Sequence, residues 1–186
     1  MSLDRTVMVF LDDHRDPVLT TVARGAMYIG TGDIAIAAWG VAGLVVVVAG
    51  RWWRVGLTVG GAVLVAQAVA RLLKAIIARP RPPADLSVVQ VGAWSMPSTV
   101  AAMTAALAAA LLLSITWPTS WVRWSAATVL TVFVIAAGSG TVYLGAHWPS
   151  DVLVGWILGA GVGGAVVRLV TVCHPRLTRL VTNHKR

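Results

Sequence analysis

The chain has one cysteine, Cys173, so no intrachain disulfide can form and the count says nothing about redox compartment. Charge is scarce as well, with only 12% of residues charged and seven acids, all aspartate. A chain so poor in charge, 58% hydrophobic and with a mean hydropathy of +0.80, is excluded from the usual soluble globular class and placed among integral membrane proteins. No basic end followed by an apolar run opens the sequence, because Asp4, Arg5, Asp12, Asp13, His14, Arg15 and Asp16 crowd that region. A cleavable signal is therefore not expected, and the first spanning helix would direct insertion itself. Low-complexity segments, linkers and internal repeats are also lacking, which implies a single transmembrane unit.

What the chain has in abundance is long apolar runs. Five stretches approach the roughly 20 residues that a helix needs to cross a bilayer: about Asp33–Gly50, Val55–Ala78, Ser98–Thr116, Val122–Thr141 and Asp151–Val172. Met1–Gly32 is too broken by charge to span, and its Val18–Ile29 portion, with Arg24 inside it, reads as an amphipathic helix lying on the membrane surface. The expected fold is thus an all-α integral membrane bundle of five transmembrane helices with an N-terminal interfacial helix. Residues 1–32 form the interfacial segment, 33–172 the transmembrane domain and 173–186 a basic tail.

Charge is distributed unequally between the two ends of such a bundle. With five helices threaded in order, Arg51, Arg54, Arg123, Arg168, Arg176, Arg179, Lys185 and Arg186 share one side without a single acid. All seven acids fall on the other side, balanced there by Arg5, Arg15, Arg24, Arg71, Lys74, Arg79 and Arg81, so the formal net charge of +8 belongs to one face. Lysine and arginine excess marks the cytoplasmic side, which puts the C-terminal tail there against anionic inner-leaflet lipid. A nucleic-acid partner is not expected despite the sequence pI of about 11.3, since no soluble domain with interleaved aromatics accompanies the charge.

The face expected to be extracytoplasmic carries the candidate chemistry. His147 and Asp151 lie four residues apart, a spacing that places a carboxylate one helical turn from an imidazole and can hold the ring in one tautomer for nucleophilic or base chemistry. Gln67, Arg71 and Lys74 recur at helical spacing, and Arg79 and Arg81 follow, gathering cations at one mouth of the bundle. Desolvated cations at a membrane edge call for an anionic partner, and a face so composed suits phosphate; snorkelling to headgroups is the plainer but lesser reading of Arg71 and Arg79. Pro97-Ser98 is ordinary helix-start chemistry, but a helix N-terminus on this side also offers backbone N–H groups to an anion.

Lys74-x6-Arg81-Pro82, then Pro97-Ser98, then His147-x3-Asp151, in that order, resembles the type 2 phosphatidic acid phosphatase (PAP2) superfamily of membrane lipid phosphatases and vanadium haloperoxidases. The resemblance spans Lys74 to Asp151 and is close around Val142–Gly155. It implies that His147 is the nucleophile that accepts the phosphoryl group and that Asp151 orients it. It also implies that Lys74, Arg81 and the Ser98 end of the third helix hold the phosphate oxygens, with neither metal nor cofactor. Two motifs depart from the family pattern. Where the family has Pro-Ser-Gly-His, this chain has Pro97-Ser98-Thr99-Val100, so the leaving-group acid is replaced by Val100; where the family has Ser-Arg, it has Gly140-Thr141.

The expected function is a phosphoric ester or anhydride hydrolase acting on a lipid phosphate such as a polyprenyl diphosphate, with reduced activity. The alternative is a catalytically inactive relative that binds or transports lipid phosphates or serves as a membrane-complex subunit; haloperoxidase activity is a distant third. Gly155, Gly159 and Gly163 repeat every fourth residue and permit close helix approach, within the bundle or between copies of a homo-oligomer. Trp52, Trp53, Trp94, Trp117, Trp121 and Trp148 fall near expected membrane boundaries and read as belt residues.

Overall fold

Seven helices make up the computed structural model, which describes residues 3–31, 33–50, 52–89 and 91–183, with the backbone alone at 29–31, 33–39, 46 and 174–183. They are α1 (Leu3–Asp13), α2 (Pro17–Thr31), α3 (Asp33–Ala49), α4 (Trp53–Ile77), α5 (Thr99–Ser114), α6 (Ser120–Tyr143) and α7 (Pro149–Asn183). Of the basic residues assigned to the tail side, Arg51, Lys185 and Arg186 lie outside the described residues.

Among the described residues, three helical stretches are long and apolar enough to cross a membrane: Trp53–Ile77, Ser120–Tyr143 and Pro149–Cys173. The two other expected spans are shorter. Helix α5 has 16 residues, because Pro97 and Ser98 delay its start and the chain turns extended at Ile115. In α3 the apolar stretch that qualifies is Gly40–Ala49. Large side chains such as Leu57, Leu64, Leu72, Trp121, Val129 and Ile157 point outward on the long helices, as lipid-facing residues do.

Helix α5 is the hub. It packs most extensively on α7 and then on α4 and α6, and its composition explains how. Ala101, Ala102, Ala105, Ala106, Ala108 and Ala110 are all buried, so neighbours approach from several directions without long side chains in between. On α7 the matching face is the glycine series. A Cβ added to Gly155 would stand 2.6 Å from the Ser98 carbonyl oxygen, and one on Gly163 would stand 2.8 Å from that of Ala106. At Gly159 it would collide with the Ala102 carbonyl. The fourfold repeat is therefore used for packing within this chain. On α4 the buried stripe runs Ala62, Ala66, Ala70, and the same period continues to Lys74. Arg71 falls off that stripe and is exposed, so it does not share an inward face with Lys74, although helical spacing groups Gln67, Arg71 and Lys74.

Local chemistry sets the helix ends. Ser98 caps α5 by accepting from Ala101 N–H at 3.4 Å, and Thr119 caps α6 by accepting from Val122 N–H at 3.2 Å. Helix α4 ends in a left-handed Ala78 whose N–H bonds the Lys74 carbonyl at 3.1 Å. Charge-rich Leu3–Asp13, expected only not to span, is helical, with one apolar face turned to the bundle. Met8 is fully buried there in a cluster with Leu86, Ala101, Val142 and Val152.

The glycine face makes a direct prediction. Gly159→Ala should lower stability by about 1–3 kcal/mol through overpacking against α5, whereas Gly161→Ala, whose Cβ meets nothing within 4 Å, should be near neutral. Thermal unfolding of both variants in the same detergent checks this.

Candidate active site

Four segments meet at one end of the bundle: the C-terminal turn of α4, the 78–98 connection, the start of α5, and the α6–α7 junction. The connection is stapled into place. Buried Ser95 donates its N–H to the Arg79 carbonyl at 2.9 Å, and its hydroxyl reaches the Arg79 and Pro80 carbonyls at 3.1 Å each. Trp148 adds an indole N–H to the Pro80 carbonyl at 3.0 Å. Trp148 is therefore a wall of this region as well as a boundary tryptophan.

The α6–α7 junction is a tight turn. Gly145 adopts φ +75°, and a Cβ there would collide with the Leu86 carbonyl, so only glycine lets residues 144–147 press against the short 3-10 turn Ala84–Leu86. The Thr141 carbonyl accepts from Ala146 N–H at 2.9 Å and His147 N–H at 3.3 Å, which fixes the backbone that carries the imidazole. The Thr141 hydroxyl folds back onto the Gly138 carbonyl at 2.7 Å and is buried. Gly140 has open space on its Cα, with nothing within 4 Å of an added Cβ.

His147 and Asp151 are brought together as their spacing suggests. His147 Nδ1 lies 3.5 Å from Asp151 Oδ2, an ion-pair distance, and makes no directional hydrogen bond among the described residues. The carboxylate itself is held from several sides and has no exposed surface. Oδ2 accepts the Trp148 N–H at 2.9 Å, Oδ1 accepts Arg79 Nη1 at 2.7 Å, and the Asp151 carbonyl accepts Ser98 N–H at 2.9 Å. That last bond ties the start of α5 to the first turn of α7.

The other ring nitrogen, His147 Nε2, faces Arg81 Nη1 at 3.4 Å. The Arg81 guanidinium is steadied by the Gly92 and Ala146 carbonyls. Burial pushes the His147 imidazole below its ordinary pKa; Asp151 pulls the other way, and the Arg81 and Lys74 cations push it further down. Lys74 is half-buried in the last turn of α4, near enough to feel the charges of Arg81 and Asp151. No hydrogen bond or ion pair among the described residues engages its ammonium group. Thr99 and Val100 form the first turn of α5 beyond the Ser98 cap and are half-buried.

The parts played by three residues escape the sequence reading. The sequence gathers Arg79 with the other cations at this mouth of the bundle but not with its partners: its guanidinium turns inward to Asp151, Ser150 and Asp4. Asp4 reaches the same place from α1, accepting from Ser150 N–H at 3.0 Å and Ser150 Oγ at 2.5 Å. The signal for Ser150 was its place beside Asp151 at a helix start; for Asp4, some 150 residues distant in sequence, there was none. His14 stacks on Phe10 and contacts the Phe10 carbonyl at 2.9 Å. Among the described residues, no cluster of three or more His, Cys, Asp or Glu could hold a metal ion.

Comparison with known proteins agrees with this architecture. Two relatives, the decaprenylphosphoryl-5-phosphoribose phosphatases of Mycobacterium tuberculosis strains CDC 1551 / Oshkosh and ATCC 25618 / H37Rv, are each 34% identical over 152 residues, covering 81% of this chain and 80% of theirs. Among solved structures, the transmembrane PAP2 type phosphatidylglycerolphosphate phosphatase from Bacillus subtilis superposes with a TM-score of 0.75 at 23% identity, covering 89% of this chain and 82% of its own. Aquifex aeolicus LpxE gives 0.71 at 22% identity, with 90% and 96% covered. At such identities the two structures speak for the fold alone. The family profile of the PAP2 superfamily matches residues 55–175, from the first turn of α4 to just past the apolar part of α7, and the chain belongs to that superfamily.

Proposed function

We propose that this PAP2-type lipid phosphatase acts through a covalent phosphohistidine on His147, at the extracytoplasmic face, on a polyprenyl diphosphate or a related polyprenyl-linked phosphate. The observation that carries the reading is the placement of His147 Nε2 beside Arg81, with Asp151 behind the opposite ring nitrogen. A neutral imidazole protonated at Nδ1 leaves an electron pair on Nε2, the nitrogen beside the cation that would hold a phosphoryl oxygen. Nε2 attacks phosphorus, the bond from phosphorus to the leaving oxygen breaks, and Asp151 stabilises the positive charge left on the ring. Water then attacks the phosphohistidine, releasing inorganic phosphate and restoring the imidazole. Arg81, Lys74 and the α5 N-terminus beyond Ser98 hold the equatorial oxygens, where preorganised charge contributes most.

The substrate preference follows from the residue at position 100. Valine transfers no proton, so the leaving oxygen departs as an anion. A general acid typically contributes about 10²–10⁴-fold, and its loss weighs far more on an alkyl phosphate than on a phosphoanhydride, whose leaving group is itself a phosphate. The polyprenyl chain in the name of the mycobacterial relatives supports a polyprenyl-linked substrate, while the 5-phosphoribose in the same name is a monoester, so the preference for an anhydride rests on Val100 alone. A binding or transport role is favoured by one observation: the Thr141 hydroxyl is spent on the Gly138 carbonyl, so this position offers no donor to a phosphate. The two readings separate on phosphate release, since binding alone would survive His147→Ala without any turnover to lose.

Phosphate release from a panel of lipid mono- and diphosphates should favour a prenyl diphosphate and fall to background in His147→Ala. Restoring Val100→His together with Thr99→Gly should raise monoester hydrolysis by at least about tenfold. A restored variant that folds, binds lipid phosphate and shows no hydrolysis above the His147→Ala background would replace catalysis with the binding reading.

Because burial holds the imidazole below its ordinary value of 6.5, His147 stays neutral to lower pH than a free histidine. The acid limb of kcat/KM for the diphosphate should accordingly lie below pH 6.5, since protonation of Nε2 removes the nucleophile. A pH profile on intact protein reads it directly.

Sidedness has its own test. Ala84 is exposed beside the site, while exposed Cys173 lies at the far end of the apolar part of α7. Ala84→Cys in a Cys173→Ser background should react with an impermeant thiol reagent on intact cells; Cys173 in the unmodified chain should react only after permeabilisation. The reverse pattern would put the site on the cytoplasmic face.

A further inference from the structure

Arg79 is the most fully engaged cation at this end of the bundle. Nη1 donates to Asp151 Oδ1 and to Ser150 Oγ, both at 2.7 Å, and Nη2 donates to Asp4 Oδ2 at 2.7 Å. The Trp148 ring lies 5.6 Å from its guanidinium carbon, and Ser95 occupies its backbone carbonyl. A guanidinium so committed has little left for a substrate phosphate. Its largest electrostatic commitment is instead to a carboxylate with no exposed surface, whose other oxygen faces His147.

We propose that Arg79 and Asp4 are positioning residues that act on His147 through Asp151, which makes helix α1 part of the site. The proposal rests on the assignment of His147 and Asp151 given above. Asp151 stands between a guanidinium and an imidazole and divides its negative charge between them. What it gives to Arg79 is withdrawn from His147. Asp4 moderates that withdrawal by sharing Arg79, and the Ser150 N–H and hydroxyl fix the Asp4 carboxylate in place. Burial would raise the Asp4 pKa, but the Ser150 hydrogen bonds and Arg79 outweigh it and hold the group below the usual carboxylate range, hence ionised.

The remaining charges are accounted for element by element. His147 is faced by Asp151 from α7, Arg81 from the 78–98 connection and Lys74 from α4. Asp151 is faced most closely by His147 and Arg79, and Lys74 and Arg81 stand near enough to feel its charge. Helix α5 carries no ionisable side chain, and the only one in α6 besides Tyr143 is Arg123, at its opposite end. Helix α1 supplies Asp4 here; its Arg5 and Asp13 are exposed, and its Asp12 pairs with Arg15 at 2.6 Å.

The two groups should therefore move His147 in opposite directions. Removing Arg79 releases Asp151 to the imidazole and raises its pKa; removing Asp4 leaves Arg79 less shared and lowers it. Histidine-selective ¹⁵N NMR titration of the intact chain in detergent micelles reads this without requiring turnover, with the His147 signal assigned by its loss in His147→Gln. Arg79→Gln should shift the titration up, and Asp4→Asn should shift it down, each by about half to one pH unit, the scale expected when a neighbouring charge is removed at this range. Asp4→Glu should return it toward the starting value. In an Arg79→Gln background Asp4→Asn should have little further effect, because it acts through Arg79.

Kinetically, both variants should lower kcat and leave KM within about twofold, as expected for groups that do not touch substrate. If Asp4→Asn folds and leaves the His147 titration unmoved, or moves it equally with and without Arg79, the network is only a structural clamp and the proposal fails. The two conclusions remain separable: absence of phosphate release from every lipid phosphate would sink the proposed activity, while the NMR titration would still decide the role of Arg79 and Asp4.

Discussion

The near-contact of α5 and α7 is the constraint on which the site depends. Three glycines on α7 bring its backbone against the Ser98, Ala102 and Ala106 carbonyls of α5, an approach no larger residue permits. Because the first of these contacts is at Ser98, the packing also delivers the α5 N-terminus to the first turn of α7, where Ser98 N–H closes on the Asp151 carbonyl. The apolar seam and the polar cluster are thus one structure. A change that spread the seam by an ångström would pull the helix cap away from the carboxylate, and positioning errors of that size are costly in a preorganised site.

The polar end is held together by reciprocal charge more than by hydrophobic burial. Asp151 is wholly removed from solvent, and leaving it without a cation would cost about 3–5 kcal/mol, the usual penalty for a stranded buried charge. Arg79 answers that need, and Asp4 and Ser150 answer the rest of Arg79. Arg15 extends the same logic along the outside of the site, donating to the Leu86 and Tyr143 carbonyls at 3.2 and 3.3 Å. Tyr143 in turn accepts from Asp16 N–H at 2.9 Å. Helices α1 and α2 are therefore fastened to the junction by polar contacts at several points.

Much of this was legible in the sequence because its signals are local or periodic. The long apolar runs locate α4, α6 and the apolar part of α7 to within a few residues, although α7 continues to Asn183 through the expected tail, and His147-x3-Asp151 announces its pair through one helical turn. The Gly155, Gly159, Gly163 series announces close packing, although periodicity alone does not tell an internal seam from an external one. What could not be read depends on the path of the chain through space. Arg79 and Arg81 are two residues apart in a proline-rich connection without helical or strand period, so nothing in their spacing says which turns toward the nucleophile and which toward its carboxylate. Asp4 looked like one more surface acid in a charged segment. Its partners, Arg79 and Ser150, become neighbours only once α1 lies across the end of the bundle.

The length of α5 carries a further consequence. At 1.5 Å per residue its 16 residues extend about 24 Å, less than the roughly 30 Å of a bilayer's hydrocarbon, and it runs inside the bundle beside longer helices. Its Ser98 end is level with the first turn of α7, because the Ser98 N–H bonds the Asp151 carbonyl, so the missing length falls at the opposite end, where the chain turns extended at Ile115. There the Leu112 carbonyl, one of the last four of the helix and so without an intrahelical donor, accepts the Trp117 indole N–H at 3.1 Å. A helix too short for the bilayer thus keeps the end that builds the site in register with its neighbours and gives up length at the end that does not.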